Sequence, residues 1–150
     1  MTPTGGQGPE TVGQCWPSYL ASGYFDAQSN LKIEYVGRKW VEPLVKAMCQ
    51  ASNGLTSHQI RRYFGHCRAV ESRLKSGASW GSVLADIQKL DVAAADGIAK
   101  RPSKIPKLFH DFIRRNVAAI RTKEDFLNGF LPHFEALIGF GAIHLKKERS

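Results

Sequence analysis

Apolar positions along this chain recur three and four residues apart over long stretches, and no useful length alternates with period two. That periodicity reads as amphipathic helices, with no strand signal to set against it. The clearest stretch opens at Leu55-Thr56-Ser57-His58-Gln59. Thr56 followed three residues on by Gln59 is a capping box, in which two orphan backbone N–H groups are satisfied reciprocally. Ile60, Phe64, Cys67, Val70 and Leu74 then share one face, and Ser76-Gly77 ends the run, so a helix is predicted over 57–75. Upstream, Asn30 is a plausible N-cap for a helix through Ile33, Val36, Trp40, Leu44 and Met48. A kink or break is expected at Pro43, which lacks an N–H and clashes one turn back.

Downstream, a helix over 82–99 carries Val83, Leu84, Ile87, Leu90, Ala94 and Ile98, and its Ala93-Ala94-Ala95 run suits close approach by a neighbour. Another starts near Pro106, a good first-turn residue, and carries Leu108, Phe109, Phe112, Ile113, Val117 and Ile120. The last runs from a Thr122 cap to about Lys147 through Phe126, Phe130, Phe134, Leu137, Ile138 and Leu145, weakened by Pro132, Gly139 and Gly141. The fold class predicted is all-α, a compact bundle of about five helices. Residues 1–23, rich in Gly, Pro, Ser and Thr, read as a flexible tail ahead of a single helical domain over 24–150. Trp16, Tyr19 and Tyr24 are unusual for such a tail and suggest docking on the body or on a partner.

Composition adds a direction to this scaffold. With 43% hydrophobic and 23% charged residues the chain is long enough for a core, and its net charge of +8 favours an anionic partner such as nucleic acid or an acidic membrane surface. No apolar run approaches the roughly 20 residues that span a bilayer, and no secretory signal pattern is present. Three widely spaced cysteines suit reduced thiols, so a cytoplasmic location is expected.

The positive charge is not spread evenly. At about 100° per residue, Arg61, Arg68 and Lys75 line one edge of the 57–75 helix, while Arg62 and Arg73 lie on its far side. A second group, Lys100, Arg101, Lys104, Lys107, Arg114, Arg115, Arg121 and Lys123, has only Asp111 as an acidic residue in its span. Glu71 falls in the apolar arc between Phe64 and Leu74, where an unpaired carboxylate is too costly, so a structural ion pair with an arginine is expected there. Catalytic patterns are missing. There is no recognisable metal cage, adjacent His66 and Cys67 point apart on a helix, and no glycine-rich phosphate loop follows a strand. The five histidines, at 58, 66, 110, 133 and 144, are scattered. The reading is of a non-enzyme with no metal and no cofactor.

The order of features resembles a known family, the small helical subunit of type III-A CRISPR effector ribonucleoproteins, the Csm complexes. The resemblance is carried by Tyr24-Phe25-Asp26 with Asn30-Leu31-Lys32, then Leu55-Thr56-Ser57-His58-Gln59-Ile60-Arg61-Arg62-Tyr63-Phe64. Arg68 and Glu71 follow at the family's spacing, and Asp125-Phe126, Phe130 and Phe134-Glu135-Ala136 resemble its closing helix. The chain departs from the family at Ala93-Ala94-Ala95-Asp96-Gly97-Ile98-Ala99-Lys100-Arg101, which lacks a tyrosine and displaces an arginine. The resemblance implies a prokaryotic, non-catalytic subunit. Copies of it would stack as a minor filament beside the repeated backbone subunit and the large subunit, contacting the CRISPR RNA–target RNA duplex without reading sequence. Contacts to RNA are expected from Arg61, Arg62 and Arg68, with His58 near the helix start, and from Lys75 and Arg101 after them, since arginine forks suit bidentate phosphate contact. No membrane partner is expected.

Two other readings compete. A helix-turn-helix regulator of DNA would use 57–64, a turn at Gly65-His66-Cys67 and a recognition helix over 68–74, and it requires the helix to break at Gly65. A protein-interaction bundle would use the same basic faces for an acidic protein.

Overall fold

The computed structural model describes residues 8–51 and 53–145. The elements are α1 (Val12–Cys15), a 3₁₀ turn (Ile33–Tyr35), α2 (Arg38–Gln50), α3 (Ser57–Lys75), α4 (Trp80–Ala99) and α5 (Lys107–Ala119), then a π-helical turn (Asp125–Phe130) leading into α6 (Leu131–Gly141). Among the described residues there is no strand, only one isolated bridge between Phe25 and Leu31. The architecture is the all-α bundle that the periodicity predicts.

The α3 helix forms where its end signals place it. The Gln59 N–H donates to Thr56 Oγ1 at 3.1 Å and the Thr56 N–H to Gln59 Oε1 at 3.0 Å, closing the capping box. At the other end the Ala78 N–H reaches the Arg73 carbonyl and the Gly77 N–H the Leu74 carbonyl, a Schellman closure that needs a left-handed residue, and Gly77 supplies φ +103°. Between these ends α3 runs unbroken through Gly65, which removes the helix-turn-helix reading.

The second helix starts later than predicted, at Arg38. Asn30 caps nothing; its carbonyl accepts from the Asp26 N–H, while Asp26 Oδ1 accepts from the Gln28 and Asn30 N–H groups at 2.9 and 3.0 Å. This local turn competes with helix for the same donors, and it leaves Ile33 81% exposed instead of in the core. Pro43 lies inside α2 without ending it, because the Val41, Leu44, Val45, Met48 and Cys49 face is packed into the core, chiefly against α6. The closing helix is also remodelled. Thr122 caps it, with the Asp125 N–H donating to Thr122 Oγ1 and the Thr122 N–H to Asp125 Oδ2, both at 3.1 Å. A wide π turn then comes immediately before Pro132, where a regular α turn would press the proline ring against the carbonyl four residues back. Gly129 sits in that turn because a Cβ would fall 2.6 Å from Tyr24 Cγ. The helix does not extend to Lys147 as predicted: α6 ends at Gly141, where the Ala142 and His144 N–H groups turn back to the Gly139 and Gly141 carbonyls, and residues 146–150 lie outside the described residues.

The largest departure is at the N-terminus. Residues 1–7 of the expected tail lie outside the described residues, but from Gly8 onward the segment folds onto the body, with α1 and a chain of buried aromatics. Trp16, Tyr19, Tyr24 and Tyr35 are each no more than 1% exposed, and Trp16 stacks on Tyr35 at 5.2 Å and on Trp40 at 5.6 Å. A buried polar chain ties this layer to α5 and α6. Tyr24 Oη donates to Asn116 Oδ1, Asn116 Nδ2 donates to Tyr19 Oη, and Tyr19 Oη meets His133 Nε2, each at 2.7 Å. His133 Nδ1 lies 2.6 Å from the Tyr35 carbonyl, which can only accept, so Nδ1 carries the proton and Nε2 accepts from Tyr19. Asp111, the sole acid of the second basic span, is buried here too, taking the Val12 N–H at 2.8 Å and pairing with Arg114.

Candidate nucleic-acid interface

On α3 the apolar face turns inward and leaves two polar edges, as its period requires. One edge carries Arg61, Arg68 and Lys75, all exposed, with His58 exposed in the first turn. Their partners differ. Arg68 is anchored: its guanidinium donates to Glu71 Oε1 at 2.8 Å, reaches Glu135 of α6 at 3.4 Å and lies 4.9 Å from the Phe64 ring centre. Lys75 pairs with the other oxygen of Glu71 at 3.3 Å. Glu71, 17% exposed, is thus held between two cations, and its carboxyl is held below the ordinary range, first by the Arg68 hydrogen bond and then by Lys75 against the opposing effect of burial. Arg61 makes only a hydrogen bond to Ser57 Oγ at 3.2 Å and has no acidic partner among the described residues.

Arg62 faces the other way, toward α4, as does Arg73, which pairs with Asp86. There α3, α4 and the loop before α5 enclose a groove of about 620 Å³. Arg62, Lys89, Lys100 and Lys104 stand around it; Tyr63, Leu90, Ala93, Gly97 and Ile105 line it with apolar or aromatic surface. The sequence reading missed this groove. Its signal was Lys89-Ala93-Gly97-Lys100 at helical spacing, a small-residue face flanked by lysines, which looks like a solvated surface until Tyr63 and Ile105 are set against it. Of the alanine run only Ala94 is buried, while Ala93 lines the groove and Ala95 is exposed.

Arg101 is exposed in the loop after α4 and does not line the groove, so the six residues singled out from sequence divide between the α3 edge, the groove and this loop. The second basic span divides as well. Lys100 and Lys104 belong to the groove, but Arg115 faces the N-terminal layer, donating to the Tyr19 carbonyl at 3.0 Å with its guanidinium 5.3 Å from the Tyr19 ring centre. Three histidines are likewise structural. His133 is fully buried, and burial lowers its pKa to about 4; His66 is bonded to the Asp86 carbonyl and His144 to Glu42. Among the described residues, no group of three or more His, Cys, Asp or Glu is placed to hold a metal ion, and no helix is long and apolar enough to cross a membrane.

The family described as Csm2 Type III-A has a model that matches residues 42–147, from α2 through the end of α6. No curated protein and no solved structure matches the chain. With most of the helical body inside one family match, the chain belongs to the Csm2 type III-A family, the small subunits of type III-A CRISPR Csm effector complexes.

Proposed function

We propose that this chain is a non-catalytic small subunit whose copies stack as a minor filament beside the repeated backbone subunit, in the cytoplasm of a prokaryote. In that setting it contacts the CRISPR RNA–target RNA duplex through phosphates, without sequence readout. The observation that carries the reading is the start of α3, where Arg61 and Arg62 are exposed on adjacent faces with no carboxylate partner among the described residues. Other cations of the same helix, Arg68, Arg73 and Lys75, are paired within the fold. Unpaired guanidiniums on a well-capped helix suit bidentate contact with phosphate, which positions a duplex while guide pairing supplies specificity. His58 in the first turn joins them; Arg68, Lys75 and Arg101 are secondary contacts. The uncharged outer face of α4, with Val92 66% exposed beside Ala85, Ala95 and Ala99, supports packing against protein neighbours.

Affinity purification of a tagged full chain from its host, with protein and RNA identification, tests the reading. Recovery of repeat-derived guide RNA with a large polymerase-like subunit is expected. Duplex DNA alone, or a single acidic protein without RNA, overturns it. Within the purified complex, Arg61→Glu should weaken target-RNA binding several-fold at unchanged helicity. Arg61→Ala should lower the slope of log affinity against log salt by about one unit.

A further inference from the structure

The groove between α3 and α4 combines two properties that the outer edge of α3 lacks. It is concave, and its floor is apolar beneath a cationic rim. Tyr63 and Leu90 line it, and Gly97 deepens it, since a Cβ there would stand in contact with Ile105 at 3.4 Å and with the Tyr63 hydroxyl at 3.6 Å. Its far wall is tied down. The Lys104 N–H donates to the Gly97 carbonyl at 2.9 Å, Gln59 Nε2 donates to the Lys104 carbonyl, and Asn53 Nδ2 donates to the Ile105 carbonyl at 2.8 Å.

The charge around it is one-sided. Arg62 and Lys104 have no acidic partner among the described residues, and the only lining carboxylate, Asp96, is paired with Lys100 at 3.1 Å. Lys89 leans on Asp86 at 3.4 Å. Lys89 and Lys100 are themselves exposed and pair only with carboxylates three or four residues away on their own helix, and Asp86 keeps Arg73 as a second partner, so an incoming anion draws either lysine away at little cost. A volume of about 620 Å³ lies within the roughly 300–1,000 Å³ of small-molecule clefts.

The geometry points to a nucleotide-binding groove, with the base on the floor of Tyr63, Leu90 and Gly97 and the phosphate held by Arg62 and Lys104. An apolar floor has no use for inorganic phosphate alone, and a duplex keeps its bases stacked away from such a slot. The groove therefore takes an unpaired nucleotide, either free or in a single strand, and this goes beyond duplex contact and does not depend on it.

Amide chemical shifts of the labelled full chain, titrated with AMP and UMP and separately with inorganic phosphate, test the assignment. Saturable shifts at Ala93, Gly97 and Lys104 with nucleotide, and much smaller ones with phosphate, are expected. Ala93→Phe fills the groove from an exposed helix position and changes no charge; it should weaken nucleotide binding about tenfold or more. Lys104→Ala should do the same by removing the rim cation. A single-stranded oligoribonucleotide carrying one fluorescent base identifies the source: quenching in the strand assigns a strand nucleotide, and binding of mononucleotide alone assigns a free one. No saturable shift, equal shifts with phosphate, or unchanged binding in both variants overturns the proposal. Arg61→Glu should leave nucleotide binding intact, so this site and the duplex-contact reading fail separately.

Discussion

Arg115 and Arg62 are the same residue in two regions organised on opposite terms. Around Arg115, the N-terminal layer over α5 and α6 turns its polar groups on one another: guanidinium to the Tyr19 carbonyl, phenols to Asn116 and His133, carboxylate to the Val12 N–H. Only the Trp16 indole N–H is buried there with no acceptor among the described residues. Around Arg62, on the α3–α4 side, cations face water and the floor between them is apolar. A buried polar network closed on itself fixes a fold and offers nothing to a ligand, while solvent-facing cations on capped helices offer a great deal and stabilise little. Positive composition alone cannot say which of these a given arginine does.

The comparison breaks most readily at Asn116. Its amide donates to both Tyr19 Oη and the Phe112 carbonyl and accepts from Tyr24 Oη, all buried. Asn116→Ala leaves the buried Tyr24 hydroxyl without its acceptor, takes one of the two partners of the Tyr19 hydroxyl and opens a cavity, and should lower stability by about 3–4 kcal/mol in urea unfolding. RNA contact by whatever protein remains folded should be unaffected. A loss under about 1 kcal/mol would mean that water replaces the amide and that the network is not what holds the layer.

Acid is the next test. Burial lowers His133 to about 4 against an ordinary 6.5, so between those values the unfolded chain takes up a proton that the folded chain refuses. Stability is whole above pH 6.5, falls as pH drops and has lost this contribution fully below about 4, a total of about 3 kcal/mol at roughly 1.4 kcal/mol per unit. The Glu71 carboxyl, held low by Arg68, has the same sign but gives way in the carboxylate range. His133→Gln should therefore flatten the slope between pH 6.5 and 5 while leaving the acid limb. Equal slopes in both proteins would place the pH dependence elsewhere.

On the open side effects are smaller. Thr56→Ala removes the acceptor for the Gln59 N–H and should cost about 1 kcal/mol, read as a fall in melting temperature. Because that cap orients the turn bearing His58, Arg61 and Arg62, RNA affinity should weaken with it. A stability loss without any change in affinity would separate the cap from the interface.

What could be read from sequence followed how local each signal is. The 57–75 helix was legible to the residue because its cap and its terminating glycine lie within four residues of its ends. The tail misled because its composition is that of a linker, and its order comes from partners about a hundred residues away: Tyr19 with His133, Tyr24 with Asn116, Val12 with Asp111. Those aromatics were noticed, but their acceptors had no visible pattern. Arg61 and Arg62 were legible as candidates from periodicity, whereas Lys89 was not and Lys104 stood out only as one of a second basic group, since the groove exists only once a loop is bonded across from Gln59 and Gly97.

The smallest effect sharpens the comparison from inside α3. Gly65 is exposed in the middle of an unbroken helix, and a Cβ built on it would meet nothing within 4 Å. Glycine in a helix interior costs roughly 0.5–1 kcal/mol relative to alanine, mainly through backbone freedom in the unfolded chain. Gly65→Ala should thus raise stability by about that amount, with a matching rise in melting temperature. On the aromatic side the opposite holds, because Gly129→Ala would drive a methyl into Tyr24 and destabilise. If Gly65→Ala were instead to lower stability, α3 would bend or break at that point in solution, and Arg61 and Arg68 would no longer share one edge.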